Sequence, residues 1–481
     1  MISKELSANE NTGRIIQTTV NDTQIFHDIL NGCIADDLSS LKEFVKTNSL
    51  SSKIDTLPAA LEKIQGFFFV LTTKCNLNCQ YCYSISQNKP LSMEKEDPIK
   101  IIKKHIKKDA KYILINFFGG EPTLEIDTIR NTVEYLKTIQ DKKIYLRIST
   151  NGCTSEETLD YLIENRFHIT ISSDGIADKN STLDKIRKAD IVEKALLYLA
   201  KRNAIFTVRY TATSSNYKNM SEAIKYWRSI GVPLAHIEPY HPTGNSKEEK
   251  SLLPDVNDYV SSFLEAVNEA ETSNLLITTG AYMNLLTPSS YFCTGASGQF
   301  CVYNPDGSIT TCYRVQSFDS PYKEFIIGNW KTNNTTSIWT TNKTKLNQHS
   351  IIQMSPCHGC KNKYLCSGGC LMRNLTQTGS LNTADNWLCK MKHLLLKDAT
   401  ARIWNNLSKG TIPVILGRFI FEDFLARTPS LPLEEHSPII KNKKIMINQK
   451  NGVFDIFDCI GIDRKDEYTI FNKKIARTEC L

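Results

Sequence analysis

The chain has 481 residues, 41% hydrophobic and 23% charged, with a formal net charge of +7. This composition excludes a disordered or fibrous protein, and the length allows two or three domains. Lys and Arg are dispersed rather than gathered on one stripe, so no nucleic-acid partner is expected.

At the N-terminus the residues after Met1 (ISKELSANENTGR) contain no apolar run, so no secretory signal is read there. Residues 1–65 are polar, with helices predicted over 36–47 and 57–64. From 66 to 275 short apolar runs alternate with helical periodicity. The runs fall at 66–72, 111–118, 143–149, 168–173, 205–212 and 234–239. The helical stretches fall at 99–106, 129–139, 155–164, 191–201 and 220–230, and Thr154 with Glu157 reads as a capping box. Six strands alternating with helices imply parallel strands joined by right-handed crossovers. The predicted fold class is α/β, a partial (β/α)6 TIM-like barrel. Chemistry in such folds sits at the C-terminal ends of the strands, where the unusual residues also fall.

From 276 to 395 the composition shifts to Gly, Cys, Thr and Asn with little periodicity, as in a small irregular domain held together by metal. Residues 396–481 form a C-terminal extension, helical over 396–408 and then strand-like in KKIMINQ and EYTIFN. No stretch reaches the ~18 apolar residues of a membrane helix. The longest candidate, 412–421, carries Pro413 and Arg418. A cytoplasmic protein with no membrane partner is the expectation.

Cysteine is the informative residue. Of fifteen, eleven lie in two groups, 75–82 and 293–389, and without an export signal such clustering points to metal rather than disulfides. Cys75, Cys79 and Cys82 have the spacing C-x3-C-x2-C. Three thiolates on one loop can ligate three irons of a [4Fe–4S] cluster and leave the fourth open to a small molecule. The alternative, a partial zinc site, would require a fourth ligand.

This loop resembles the signature of the radical S-adenosylmethionine (SAM) superfamily, with Tyr81 at the aromatic position before the third cysteine. Gly119-Gly120-Glu121-Pro122, Ser149-Thr150-Asn151-Gly152 and Ser172-Ser173-Asp174-Gly175 resemble further motifs of that family at later strand ends. The resemblance implies a SAM site built from Tyr81, Gly119, Gly120, Glu121, Ser149, Asn151 and Ser173, and reductive cleavage to a 5′-deoxyadenosyl radical. The distal pattern, Cys293-x13-Gly307-x4-Cys312 followed by Cys357-x2-Cys360-x5-Cys366-x3-Cys370 and Cys389, resembles the SPASM extension of these enzymes. It implies two auxiliary [4Fe–4S] clusters, three clusters in all. The first would take Cys293, Cys312 and Cys370, with Cys301 open as its fourth ligand. The second would take Cys357, Cys360, Cys366 and Cys389.

Relatives with this extension mostly modify peptides, so the resemblance implies a ribosomally made precursor peptide as substrate. The modification would be a thioether or C–C crosslink or a related change, with a reductant such as flavodoxin or ferredoxin. Sulfatase-maturating relatives carry Asp after the cysteine matching Cys312; Tyr313 stands there, which argues against formylglycine formation. That reaction, small-molecule radical chemistry and a non-enzymatic zinc-rich interaction protein are the alternatives. Residues 1–65 are read as a simple cap or a divergent leader-recognition segment. Glu238, Tyr240, His241 and Asp174 are the rim candidates for a general base.

Overall fold

The computed structural model describes residues 14–48, 64–79, 81–84, 90–175, 189–242, 250–297, 300–332, 349–431, 449–450 and 452–462. Strands β1 (Ile15–Val20), β2 (Thr23–Asp28) and β3 (Cys33–Ala35) precede helix α1 (Leu38–Thr47), whose N-cap Asp37 accepts from Ser40 N. The alternation then runs β4 (Ile64–Thr72), α2 (Asp97–His105), β5 (Tyr112–Gly119), α3 (Ile126–Lys137), β6 (Lys143–Thr150) and α4 (Glu156–Glu164). It continues through β7 (His168–Ser172), α5 (Ala189–Lys201), β8 (Phe206–Ala212), α6 (Met220–Ser229), β9 (Leu234–Pro239), α7 (Val256–Ser273) and β10 (Leu276–Thr278).

Strands β4 to β10 lie side by side in chain order, each neighbouring pair parallel. Among the described residues a seventh strand therefore follows the six expected, and β11 (Phe300–Tyr303) joins the parallel run from the cysteine-rich region as an eighth, parallel to β4. Strand β10 is three residues long, too short for periodicity to reveal, and its pairing with β9 defines it. The sheet stays open: β10 is its edge, while β4 pairs on its other side with β11. Strands β12 (Ser308–Thr310) and β13 (Ile326–Asn329) extend that side antiparallel, so the cysteine-rich region continues the barrel sheet.

Both faces are buried, as parallel sheets require. On β4, Phe67, Phe69 and Leu71 pack toward the helices, while Phe68 and Val70 join Tyr112, Leu114 and Tyr145 inside the barrel. The capping expectation for α4 shifts by one residue. Ser155, not Thr154, caps it, its Oγ accepting from Thr158 N at 3.2 Å. Thr154 N is instead spent on Gly152 O in the turn leaving β6.

Beyond the barrel come α8 (Lys363–Cys366), α9 (Leu371–Thr378), α10 (Asn386–Ser408) and α11 (Gly417–Arg427). Helix α10 starts ten residues before the predicted one, capped by Asp385, so it crosses the expected boundary at 395/396. The apolar 412–421 stretch leads into α11, which closes the floor of the barrel. A Cβ on Gly417 would stand 2.6 Å from Leu276 Cβ, and the Phe421 ring lies 5.2 Å from that of His168.

Strands β14 (Gln449–Lys450) and β15 (Val453–Asp455) pair with the N-terminal strands in one antiparallel sheet, ordered β1-β2-β3-β15-β14. The first and last described segments thus share a sheet. Strands β1 and β2 hid this in the sequence, because polar residues interrupt their apolar ones and Gln17, Thr19, Thr23 and Gln24 are exposed. The helix predicted over 57–64 lies outside the described residues except Ile64, which begins β4. The KKIMINQ run lies outside them up to Gln449, and EYTIFN lies wholly outside them.

Candidate active site

The C-terminal ends of the parallel strands open into a cavity of about 1750 Å³, open solvent at its mouth included. Cys75, Cys79 and Cys82 line it, and so do Cys293, Cys312 and Cys370. Two distant cysteine groups therefore share one chamber.

The glycine pair explains how the first loop is set. A Cβ on Gly119 would stand 2.3 Å from Thr72 O, and one on Gly120 2.1 Å from Lys74 O. Only glycine allows the end of β5 to lie against the base of the cysteine loop. Gly120 N donates to Thr72 O at 2.7 Å and Glu121 N to Lys74 O at 2.8 Å, fixing that contact. Asn151 ties the loop to β6: its Nδ2 donates to Asn76 Oδ1 at 2.8 Å and reaches Cys75 Sγ at 3.7 Å. Leu77 N also points at Cys75 Sγ, at 3.4 Å.

Beside Cys293, Gly295 has the matching role. Its Cβ would meet Thr311 O at 2.1 Å, so the turn carrying Cys293 presses on the strand leading to Cys312. Ala296 N points at Cys293 Sγ at 3.4 Å. Burial pushes the Cys293 thiol up to about 11 and the Cys312 thiol up to about 12, with Cys370 adding to both. Cys357, pushed up to about 11 by burial, also feels Cys366, Cys360 and Cys389, which form a separate group outside the cavity. As thiolates, groups gathered this way would repel one another, and a cationic centre among them would offset that repulsion. With N–H donors aimed at sulfur, these sets fit iron–sulfur clusters. Among the described residues no three His, Cys, Asp or Glu side chains close around a single-ion position.

Cys301 is not with them. Strand β11 alternates, with Phe300 and Val302 in the barrel interior and Cys301 with Tyr303 in the helix-covered core beside Phe67 and Phe69. It is fully buried there. His358 is exposed, its ring nitrogen 2.7 Å from Ile352 O.

Of the predicted SAM-site residues, Tyr81, Gly119, Gly120, Ser149 and Asn151 line the cavity, whereas Glu121 and Ser173 do not. Glu121 is fully buried and acts as a staple. It accepts from Thr123 N (3.0 Å), Thr123 Oγ1 (2.6 Å), Thr150 Oγ1 (2.7 Å) and Asn151 N (2.8 Å), locking the end of β6 to that of β5. Ser173 sits in a turn, facing Gly175 N at 3.4 Å, and Ser172 lines the cavity in its place.

Among the base candidates, Asp174 is withdrawn: it accepts from Tyr81 Oη and from Thr211 N, anchoring the aromatic residue of the cysteine loop. Glu238, Tyr240 and His241 line the cavity. Burial, then Arg373, Arg314, Arg209 and Lys392, hold the His241 imidazole well below its usual range. Sequence reasoning passed over the cavity cations Arg209 and Lys392, and His236. Period-2 alternation carried the signal for two of them: Arg209 shares a face with Thr211, and His236 with Glu238.

After Cys312, the Tyr313 ring meets Phe118 and Tyr83 edge-on at 5.3 and 5.6 Å. The Arg314 guanidinium lies over Tyr83 at 4.7 Å.

An open parallel barrel with a three-thiol loop after its first strand, facing a glycine-lined small-molecule site, defines an enzyme that activates a ligand at an iron–sulfur cluster. Residues 69–252 match the Radical SAM superfamily model, so this part of the chain is a radical SAM domain. With that family come SAM and a [4Fe–4S] cluster. The chain is 24% identical over 378 residues to the radical SAM cyclopropyl synthase TigE of Paramaledivibacter caminithermalis, covering 70% of this chain and 74% of TigE. Its fold resembles that of native anSMEcpe with bound AdoMet (TM-score 0.59, 19% identity, 71% of this chain and 98% of that one). It also resembles Streptococcus suis SuiB bound to precursor peptide SuiA (TM-score 0.52, 16% identity, 78% and 98%). No helix among the described residues is long and apolar enough to cross a membrane.

Proposed function

We propose that the chain is a peptide maturase with three [4Fe–4S] clusters, forming a crosslink in a ribosomally made precursor peptide. The observation that carries this is the shared chamber: Cys75, Cys79 and Cys82 line the same cavity as Cys293, Cys312 and Cys370. The first trio would hold the SAM cluster and the second the first auxiliary cluster. Cys357, Cys360, Cys366 and Cys389 would hold the second. Cys301, on the far face of β11, is left out of the ligand set. The relationship to a cyclopropyl synthase and the fold shared with a precursor-bound enzyme support a peptide substrate and a bond-forming outcome. A small redox protein such as flavodoxin or ferredoxin would supply the electron.

When bound, the cluster and SAM supply a 5′-deoxyadenosyl radical. The chain's own part is positioning. Gly119–Gly120 and Asn151 shape the cofactor wall, the Tyr83–Tyr313–Phe118 aromatic group packs the chamber base, and Arg209, Arg314 and Lys392 give it positive charge. Formylglycine formation is disfavoured because the side chain after Cys312 is a buried aromatic ring, not a carboxylate.

The test is anaerobic reconstitution followed by co-expression with a candidate precursor. Iron and sulfide should approach about 12 each per chain, and the peptide should lose two hydrogens. Stoichiometric zinc without iron would sink the proposal.

A further inference from the structure

We infer that Glu238 takes the proton the peptide loses, with His236 behind it as a positioning residue. This rests on the peptide-modifying reading above.

The argument begins with the pleat of β9. Ala235 and Ile237 pack into the helix-covered core, so His236 and Glu238, two residues apart, share the barrel-interior face. His236 Nε2 lies 2.9 Å from Glu238 Oε1. Gly280 N also donates to Oε1, and Thr279 Oγ1 approaches it at 3.5 Å. Every one of these contacts falls on a single oxygen. Oε2 carries no hydrogen bond among the described residues, and the side chain retains 13% exposure at the cavity wall. One oxygen is clamped and the other is available to a substrate.

The charged surroundings keep the carboxylate ionised. Burial alone would push the Glu238 carboxyl up, but His236 from the same strand, Arg209 from β8 and the Gly280 N–H together hold it below the usual range. Arg418 from α11 lies on the His236 side, and Tyr259 from α7 is near Glu238. The competing groups are poorer acceptors. Asp174 has both oxygens engaged, by Tyr81 Oη and Thr211 N, and His241 is crowded by four cations.

The chemistry requires such a group. A hydrogen atom leaves a peptide C–H to give 5′-deoxyadenosine. When the resulting carbon radical bonds to an atom that carries hydrogen, the peptide sheds one further proton and one electron. A bound iron–sulfur cluster in its oxidised form would accept the electron, and Glu238 Oε2 takes the proton, which completes the loss of two hydrogens.

The experiment compares reconstituted wild type with Glu238→Gln, Glu238→Asp and His236→Gln, measuring SAM affinity, 5′-deoxyadenosine and peptide product together. Glu238→Gln should lower the ratio of product to 5′-deoxyadenosine by about 100-fold, the usual scale for a positioned base, with SAM affinity retained. Glu238→Asp should recover part of the ratio. His236→Gln should move the acid limb of product formation to higher pH, since one of the contacts holding the carboxyl down is gone. Product at the wild-type ratio from Glu238→Gln would overturn the assignment, as would loss of SAM binding in both Glu238 variants, which would place Glu238 in the cofactor site. If wild type forms 5′-deoxyadenosine but alters no peptide, the peptide reading itself falls and this assignment with it. If wild type and Glu238→Gln convert the peptide alike, only the assignment falls.

Discussion

Arg147 on β6 and Glu422 on α11 meet at 2.6 Å inside the barrel, their side chains 6% and 0% exposed. Leu146 and Ile148 face the helices, so Arg147 points inward and α11 must enter the floor to reach it. A buried pair of this kind adds little over an apolar replacement, but losing one partner strands a charge. Glu422→Gln should therefore destabilise the protein by about 3–5 kcal/mol. The Arg147→Met/Glu422→Leu double variant should recover much of that loss. Chemical denaturation of the three proteins reads the difference; equal stability of the single variant and wild type would contradict the burial argument.

The SAM-cluster loop is tested by removing its thiols. Replacing Cys75, Cys79 and Cys82 with Ala should abolish 5′-deoxyadenosine formation and remove about four of about 12 irons. Gly120→Ala should give a milder version of the same defect, because its Cβ would collide with Lys74 O at the base of the loop. Iron analysis and product chromatography on the same samples check both.

Cys301 and Cys312 should behave oppositely. Cys312→Ala should cost about four irons, whereas Cys301→Ala should leave the iron content at the wild-type value. A matching iron loss in Cys301→Ala would show that β11 turns over when the cluster is assembled.

Glu121 should act on SAM binding without touching SAM. Its carboxylate satisfies four donors at the joined ends of β5 and β6. Glu121→Ala would leave them unsatisfied at about 1–3 kcal/mol each before relaxation. Weakened SAM binding together with lower stability is expected, measured by titration and thermal unfolding. Tight SAM binding in a destabilised variant would separate the two roles.

His27 predicts an acid-sensitive fold. It is fully buried with its Nδ1 3.5 Å from Thr400 Oγ1, and burial lowers its pKa to about 4 despite the neighbouring Asp28. The unfolded chain therefore takes up this proton first as pH falls. Stability should be lost between about pH 6.5 and about 4, by about 3 kcal/mol in total from this group. His27→Gln should flatten that part of the stability–pH curve; an unchanged slope would refute the assignment.

The sequence by itself determined what depends on neighbours along the chain. Cysteine spacing within one loop fixes which thiols can share a cluster, so Cys75, Cys79 and Cys82 were legible at once. The barrel strands were legible too, because each is a continuous apolar run between helical segments. Contacts between distant elements were not. Glu121 sits in a motif that reads as a ligand, yet it is a staple, because Thr150 and Asn151 of the next strand come within reach of its oxygens. The face taken by Cys301 depended on pairing with β4, which aligns it with Phe67. Both faces of that sheet are apolar, so alternation alone could not say which side holds the cluster. The partner of Arg147, and the α11 helix that brings it, likewise came only from the fold. A charge far along the chain leaves no local pattern until packing closes the barrel floor.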